Sequence, residues 1–113
     1  MEANELRLGN FINFEQTTHV VSGIVNKTIY SFWLKDIEKK DLYSAVIYDY
    51  KPLPITEEWK EKLKDTPLFM DKIGFVIFKN GYTYSFIWED YPFVHQLQNL
   101  YFALTGEELT LNT

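Results

Sequence analysis

The first third of the chain contains short runs rich in β-branched and aromatic residues, separated by polar turn residues, a pattern typical of β-strands. Asn26-Lys27 is suited to a two-residue loop, and residues 35–41 form an almost wholly charged connection. The Gly9-Asn10 turn signal before short strands is also compatible with closure into a small SH3-like partial barrel. We therefore predict an antiparallel meander of four strands at residues 11–14, 18–25, 28–34 and 43–48.

The strongest local signal in the chain is Asn80-Gly81, the preferred pair for a type I′ turn between two strands. It predicts a hairpin over residues 73–88, and a two-residue loop fixes its register. Four cross-strand pairs follow: Phe78 with Thr83, Ile77 with Tyr84, Phe75 with Phe86, and Ile73 with Trp88. One face then carries large apolar or aromatic side chains and is predicted to be core: Ile73, Phe75, Ile77, Tyr84, Phe86 and Trp88.

The opposite face of this hairpin carries Val76, Phe78 and Ile87 beside Thr83 and Ser85. It is more apolar than a purely solvated sheet face. We therefore expect a helix of the same chain or a second copy of the protein to cover part of it. Val76, Phe78 and Ile87 are the candidate interaction residues.

Two helices are predicted in the second half of the chain. The first follows two prolines, with Thr56 as N-cap and a thin apolar stripe of Trp59 and Leu63, and it ends before Pro67. The second opens at residues 90–92 and closes at Gly106, with a broad stripe typical of a helix docked on a sheet: Val94, Leu97, Leu100, Tyr101 and Leu104. Leu109 and Leu111 alternate in the tail, as in an edge strand.

Composition sets limits on this α+β fold. A chain of 113 residues is the size of a single domain, so residues 1–113 are assigned to one. Without cysteine it has no disulfide or thiolate metal site, and it contains no apolar run long enough to span a membrane. The N-terminus lacks the features of a secretory signal, which predicts a cytoplasmic protein. A formal net charge of −5 opposes generic binding of nucleic acid.

Four stretches carry a resemblance: residues 4–10 (NELRLGN), 52–59 (PLPITEEW), 73–75 (IGF) and 95–109 (HQLQNLYFALTGEEL). Together they resemble a family of small uncharacterised proteins found in gut-bacterial genomes and in their prophages or other mobile elements. That family commonly has its Gly-Phe soon after the helix of Trp59, whereas this chain has residues 64–72 in between. The resemblance implies an accessory protein of a mobile element and brings no reaction, cofactor or ligand.

The residues that could support catalysis are scattered. His19 and His95 are far apart and lie outside any metal-ligand spacing, and no glycine-rich phosphate loop is present. A carboxylate near His95, such as Glu89 or Asp90, could tune it for proton transfer, but a capping or surface role is the simpler interpretation. The serines fall in predicted strands and not in a nucleophile elbow. No catalytic residue, metal or cofactor is predicted.

Aromatic residues make up 18% of the chain, and Tyr and Trp favour interfaces although core packing explains most of them. The leading hypothesis is a non-enzymatic interaction module that binds a protein partner or itself, without nucleic acid or membrane as partners. One alternative is an acidic inhibitor or nucleic-acid mimic, against which the interleaved lysines argue. The other is a small enzyme that uses a histidine with carboxylates.

Overall fold

The computed structural model describes residues 1–36 and 41–109, and within these ranges the chain has the predicted α+β fold. It divides into two compact units, Met1–Leu53 and Pro54–Thr113. The assignment of residues 1–113 to one domain stays a prediction. No helix in the described ranges is long and apolar enough to cross a membrane.

The first unit is built on an antiparallel sheet, which we call the meander sheet. Among the described residues the spatial order of its strands is β4-β3-β2-β1-β5, so strands that are consecutive in sequence are neighbours from β1 to β4. The sheet is curled into a half-barrel. The predicted meander is therefore confirmed, and the short β5 is a strand that the sequence did not predict. The strands are β1 (Phe11–Phe14), β2 (Thr17–Val25), β3 (Thr28–Trp33), β4 (Leu42–Val46) and β5 (Tyr50–Lys51).

A β-bulge at Ser22 decides which side chains of the meander sheet face its core. Val21 pairs with Ser31 and Gly23 pairs with Tyr30, so Ser22 is the extra residue on β2. The side-chain alternation therefore shifts by one residue at this point. The result is a core cluster that includes Leu6, Ile12, Val21, Ile29, Ile47 and Tyr50.

The second unit contains two helices and a second antiparallel sheet within the described residues, with spatial order β6-β7-β8. We call this the hairpin sheet. Its central strand is β7, and β6 is a short strand that the sequence did not predict. The elements are α1 (Glu57–Leu63), β6 (Phe69–Met70), β7 (Gly74–Lys79), β8 (Tyr82–Ile87) and α2 (Val94–Thr105).

The predicted hairpin register is confirmed. Asn80 and Gly81 have φ angles of 52° and 83°, as a type I′ turn requires. Phe78 pairs with Thr83, and the Trp88 amide donates to the Ile73 carbonyl at 3.0 Å. The inner face of the sheet joins α1 and α2 in one core cluster, which includes Leu63, Leu68, Phe75, Ile77, Leu97, Tyr101 and Leu109.

The prediction that all six inner-face residues are core was wrong for two of them. Ile73 is 74% exposed because Asp71 Oδ1 accepts hydrogen bonds from the amides of Ile73 and Gly74, so residue 73 belongs to a turn and leaves the strand alternation. Tyr84 is 39% exposed because it lies on the edge strand β8.

Helix α1 begins at its predicted N-cap, and α2 ends at its predicted glycine. The Thr56 hydroxyl accepts from the Trp59 amide at 3.3 Å, and Gly106 closes α2 with φ 75°. α2 begins at Val94, later than predicted, because residues 88–90 form a 3₁₀ turn and Phe93 bridges to Pro54. The tail strand and the charged connection were predicted over residues that lie partly outside the described ranges, at 110–113 and 37–40.

Candidate functional site

The outer face of the hairpin sheet is apolar and open to solvent. Strand alternation places Val76 and Phe78 of β7 on this face, beside Ile87 of β8. Phe78 is 50% exposed and Ile87 is 42% exposed, while Val76 is half-buried. Within the described residues, the expected cover over this face is missing, and the three candidate interaction residues lie together on one surface.

Phe69 extends this surface and was missed by the sequence analysis. Strand β6 pairs with β7 so that Phe69 lies opposite Val76. Its ring is 65% exposed and meets the ring of Phe78 edge to face, with centroids 5.0 Å apart. The only sequence signal was a short apolar run after Pro67, residues 68–70, too short to identify as a strand. We call Phe69, Val76, Phe78 and Ile87 the outer patch.

A shallow open hollow of about 330 Å³ lies at the Gly74 end of the outer patch. Its lining includes Phe69, Ile73, Val76 and Ile87. The exposed Ile73 therefore continues the apolar surface beyond the strand ends. A face with this much exposed aromatic and aliphatic surface is typical of a protein-binding site.

A second feature is a buried network of hydrogen-bonded side chains in the meander sheet, centred on His19, which we call the His19 network. The imidazole is 2% exposed, and Ser31 is fully buried beside it. His19 Nδ1 lies 2.9 Å from Ser31 Oγ, and Ser31 Oγ lies 2.9 Å from the Tyr50 hydroxyl, which donates to the Ile29 carbonyl at 3.2 Å. At the other end, His19 Nε2 lies 3.1 Å from Thr17 Oγ1.

When His19 is neutral, the His19 network has fewer donor protons than hydrogen-bond contacts. Thr17 Oγ1 also donates to the Phe14 carbonyl, at 2.7 Å. Thr17 and Tyr50 each use their single hydroxyl proton in this way, Tyr50 toward the Ile29 carbonyl, so Ser31 must donate its own proton to Tyr50. His19 would then have to donate from both ring nitrogens, to Ser31 and to Thr17, to satisfy every contact. Burial opposes such an imidazolium and lowers the pKa of His19, while nearby Glu15 raises it.

The lowered pKa of His19 predicts a loss of stability in mild acid. Below the ordinary pKa of 6.5 the unfolded chain takes up a proton more readily than the folded chain, so the stabilisation is fully present above pH 6.5 and falls as the pH drops toward the folded pKa. Urea unfolding of wild type and His19→Gln, at about pH 7.5 and about pH 5.5, measures this effect. We expect the stability difference between them to shrink at the lower pH, and an equal difference at both would contradict the assignment.

The surroundings of the two histidines do not indicate a substrate site for either of them. His95 was predicted to cap or to lie on the surface, and this was wrong: it is 1% exposed in the first turn of α2, where its ring stacks on Phe93 with centroids 6.1 Å apart. The hollow at Gly74 contains neither histidine in its lining. Within residues 1–36 and 41–109, no group of three His, Cys, Asp or Glu side chains is placed to hold a metal ion.

Acidic residues on α1 are interleaved with lysines. Lys60 Nζ lies 3.4 Å from Glu57 Oε1, Lys62 Nζ lies 4.0 Å from Glu58 Oε1, and Lys64 pairs with Glu61. These pairs lie at the surface of one short helix and its C-cap, where ion pairs contribute little to stability. The helix therefore presents mixed charge and not an uninterrupted array of carboxylates.

Comparison with known proteins gives no relative: no protein-family model, no curated protein and no solved structure matches this chain.

Proposed function

We propose that this chain is a non-enzymatic protein-interaction module that binds its partner through the outer patch of the hairpin sheet. The observation that carries the proposal is the exposed pair Phe69 and Phe78, whose rings contact each other at the surface of the sheet. Large aromatic residues are enriched at the centres of protein interfaces, where burial by a partner yields most of the binding free energy.

The outer patch contributes little to the packing of its own unit. The hairpin sheet uses its other face for the core, where Phe75 and Ile77 are buried. Phe69, Phe78 and Ile87 instead keep between two fifths and two thirds of their surface in contact with water. Folding alone gives no reason for three large apolar residues on one exposed face. The resemblance to proteins of mobile elements implies an accessory role and assigns no binding function.

Co-expression of two differently tagged copies in the native host tests this function. Recovery of one tag detects both self-association and a different partner. We expect wild type to bring down a protein other than its own tagged copy in stoichiometric amount, and Phe78→Asp to lose that protein because a carboxylate would be desolvated in the interface. Tyr48→Asp is the matched control, since Tyr48 is a 66% exposed aromatic residue in the first unit.

Circular dichroism establishes that both variants are folded before they are compared. If wild type recovers no protein besides its own copies, or if Phe78→Asp recovers the same protein as wild type, the outer patch is not the binding surface and the proposal fails.

A further inference from the structure

The backbone of β8 offers an open row of hydrogen-bonding groups. Because the Trp88 amide donates to the Ile73 carbonyl in the register of the ladder, the hydrogen bonds between β7 and β8 recur from there at every second residue. The N–H and C=O groups of Tyr84 and Phe86 therefore point toward β7. Those of Thr83, Ser85 and Ile87 point away from β7, and among the described residues β8 has no other strand beside it.

This open edge lacks the devices by which proteins prevent strand pairing. Strand β8 consists of six residues, Tyr82–Ile87, and contains no charged residue and no proline. Its pairing with β7 runs without a register shift. An edge of this kind is a template for another β-strand.

We propose that β8 pairs antiparallel with β8 of a second copy of this chain about a twofold axis at Ser85, so that two hairpin sheets join into one; this rests on the interaction function proposed above. Thr83 of one copy then lies opposite Ile87 of the other, with about four hydrogen bonds between the chains, because the Ile87 carbonyl already caps the 3₁₀ turn at residues 88–90. The pairing also makes the two outer patches parts of one continuous surface.

The side chains of β8 are complementary to themselves in this register. On the inner face, Tyr84 of each copy lies beside Phe86 of the other, an aromatic cross-strand pair that would cover the exposed ring of Tyr84. On the outer face, Ser85 meets Ser85, and like charges do not meet anywhere along the strand. This symmetry favours a second copy over an unrelated strand.

The other sheet also ends in an exposed strand, β4, but its context is less favourable. In the sequence β4 follows residues 35–41, of which six in seven are charged, a longer charged run than the Glu89-Asp90 pair after β8, and charge beside an edge strand opposes pairing with another chain. Ser44 of β4 is exposed, as Ser85 is, and therefore supplies a matched control position.

Sedimentation of the purified chain and its variants tests the pairing. We expect wild type to form dimers, Ser85→Lys and Ser85→Asp each to weaken dimerisation by about tenfold or more, and an equimolar mixture of these two to regain it, since opposite charges then meet at the axis. Ser44→Lys should sediment as wild type does. A dimer that Ser85→Lys leaves unchanged, or a mixture no tighter than either variant alone, overturns the proposal.

A cysteine variant keeps the test independent of the charge variants. Because the chain has no cysteine, Ser85→Cys carries a single thiol. Residues in a hydrogen-bonded pair have Cα atoms about 5.5 Å apart, within disulfide range. Under mild oxidation we expect Ser85→Cys to form covalent dimers and Ser44→Cys to remain a monomer; equal yields from the two would contradict the pairing.

The failure of self-pairing is distinguishable from the failure of the proposed function. A wild-type chain that is monomeric at every concentration overturns self-pairing. If the same chain still recovers a different protein from its host in a manner that depends on Phe78, the interaction function stands and another chain occupies the surface.

Discussion

Replacing Phe75 by alanine should lower the free energy of unfolding by about 3–5 kcal/mol, the usual cost of removing a buried phenylalanine. Phe75 is 2% exposed at the centre of the hairpin sheet. Its ring contacts Phe86 at a centroid distance of 5.4 Å, Trp88 at 4.8 Å and Tyr91 at 6.0 Å. Truncation leaves a cavity among rings that cannot all move to fill it. Urea unfolding followed by circular dichroism measures the loss.

Phe78 supplies the matched control, because it is a phenylalanine on the same strand that points to the other face. It is 50% exposed, and its ring contacts Phe69 at the surface. We expect Phe78→Ala to cost less than about 1 kcal/mol in a dilute sample. Equal losses for the two variants would show that Phe78 serves the fold, which would remove the main reason to assign it to binding.

Gly74→Ala should be nearly as damaging, although it adds only a methyl group. A Cβ at this position would lie 1.9 Å from the Phe86 carbonyl oxygen and 3.1 Å from Ile87 Cα, so the backbone of β8 would have to move. Gly74 is also held in place by Asp71, whose Oδ1 accepts a hydrogen bond from the Gly74 amide nitrogen at 2.8 Å. We expect a loss of about 3 kcal/mol or more in the free energy of unfolding.

Gly23→Ala tests whether this effect is one of close approach or of strand glycines in general. Gly23 lies in β2, where an added Cβ would meet Tyr30 Cβ at 3.4 Å. That is ordinary contact, and alanine also reduces the entropy of the unfolded chain, so the change should stay within about 1 kcal/mol. The account of Gly74 is contradicted if both variants lose similar stability.

Local signals predicted much of the fold because they act over a few residues. Asn80-Gly81 fixed the turn and therefore the pairing of Phe78 with Thr83. Thr56 marked the N-terminal end of α1, and Gly106 marked the C-terminal end of α2. Each of these residues satisfies a backbone requirement that is visible in the sequence itself.

The His19 network could not be predicted from such local signals because it depends on the bulge at Ser22. The loop Asn26-Lys27 predicts an unbroken ladder in which Ser31 would lie opposite Ser22. The bulge instead places Ser31 opposite Val21, on the face that also carries His19. Nothing in the local sequence announces the extra residue, so the contact between His19 and Ser31 appears only in the structure.

The outer patch was predicted in part. Period-two alternation was enough to place Val76, Phe78 and Ile87 on one face, since strand geometry alone determines it. Phe69 was missed because β6 has only two residues and owes its strand conformation to pairing with β7. Whether that face was covered could not be read from the pattern, because cover depends on where distant elements pack.

The claim that another protein chain covers this sheet is tested most directly by amide hydrogen exchange, measured on the protein recovered from its host and on the purified chain at low concentration. We expect slower exchange in the recovered protein at residues 82–87 and at 69–78, with unchanged exchange in the meander sheet. The same exchange in both samples across residues 69–87 would show that this surface remains in water, and would contradict the account.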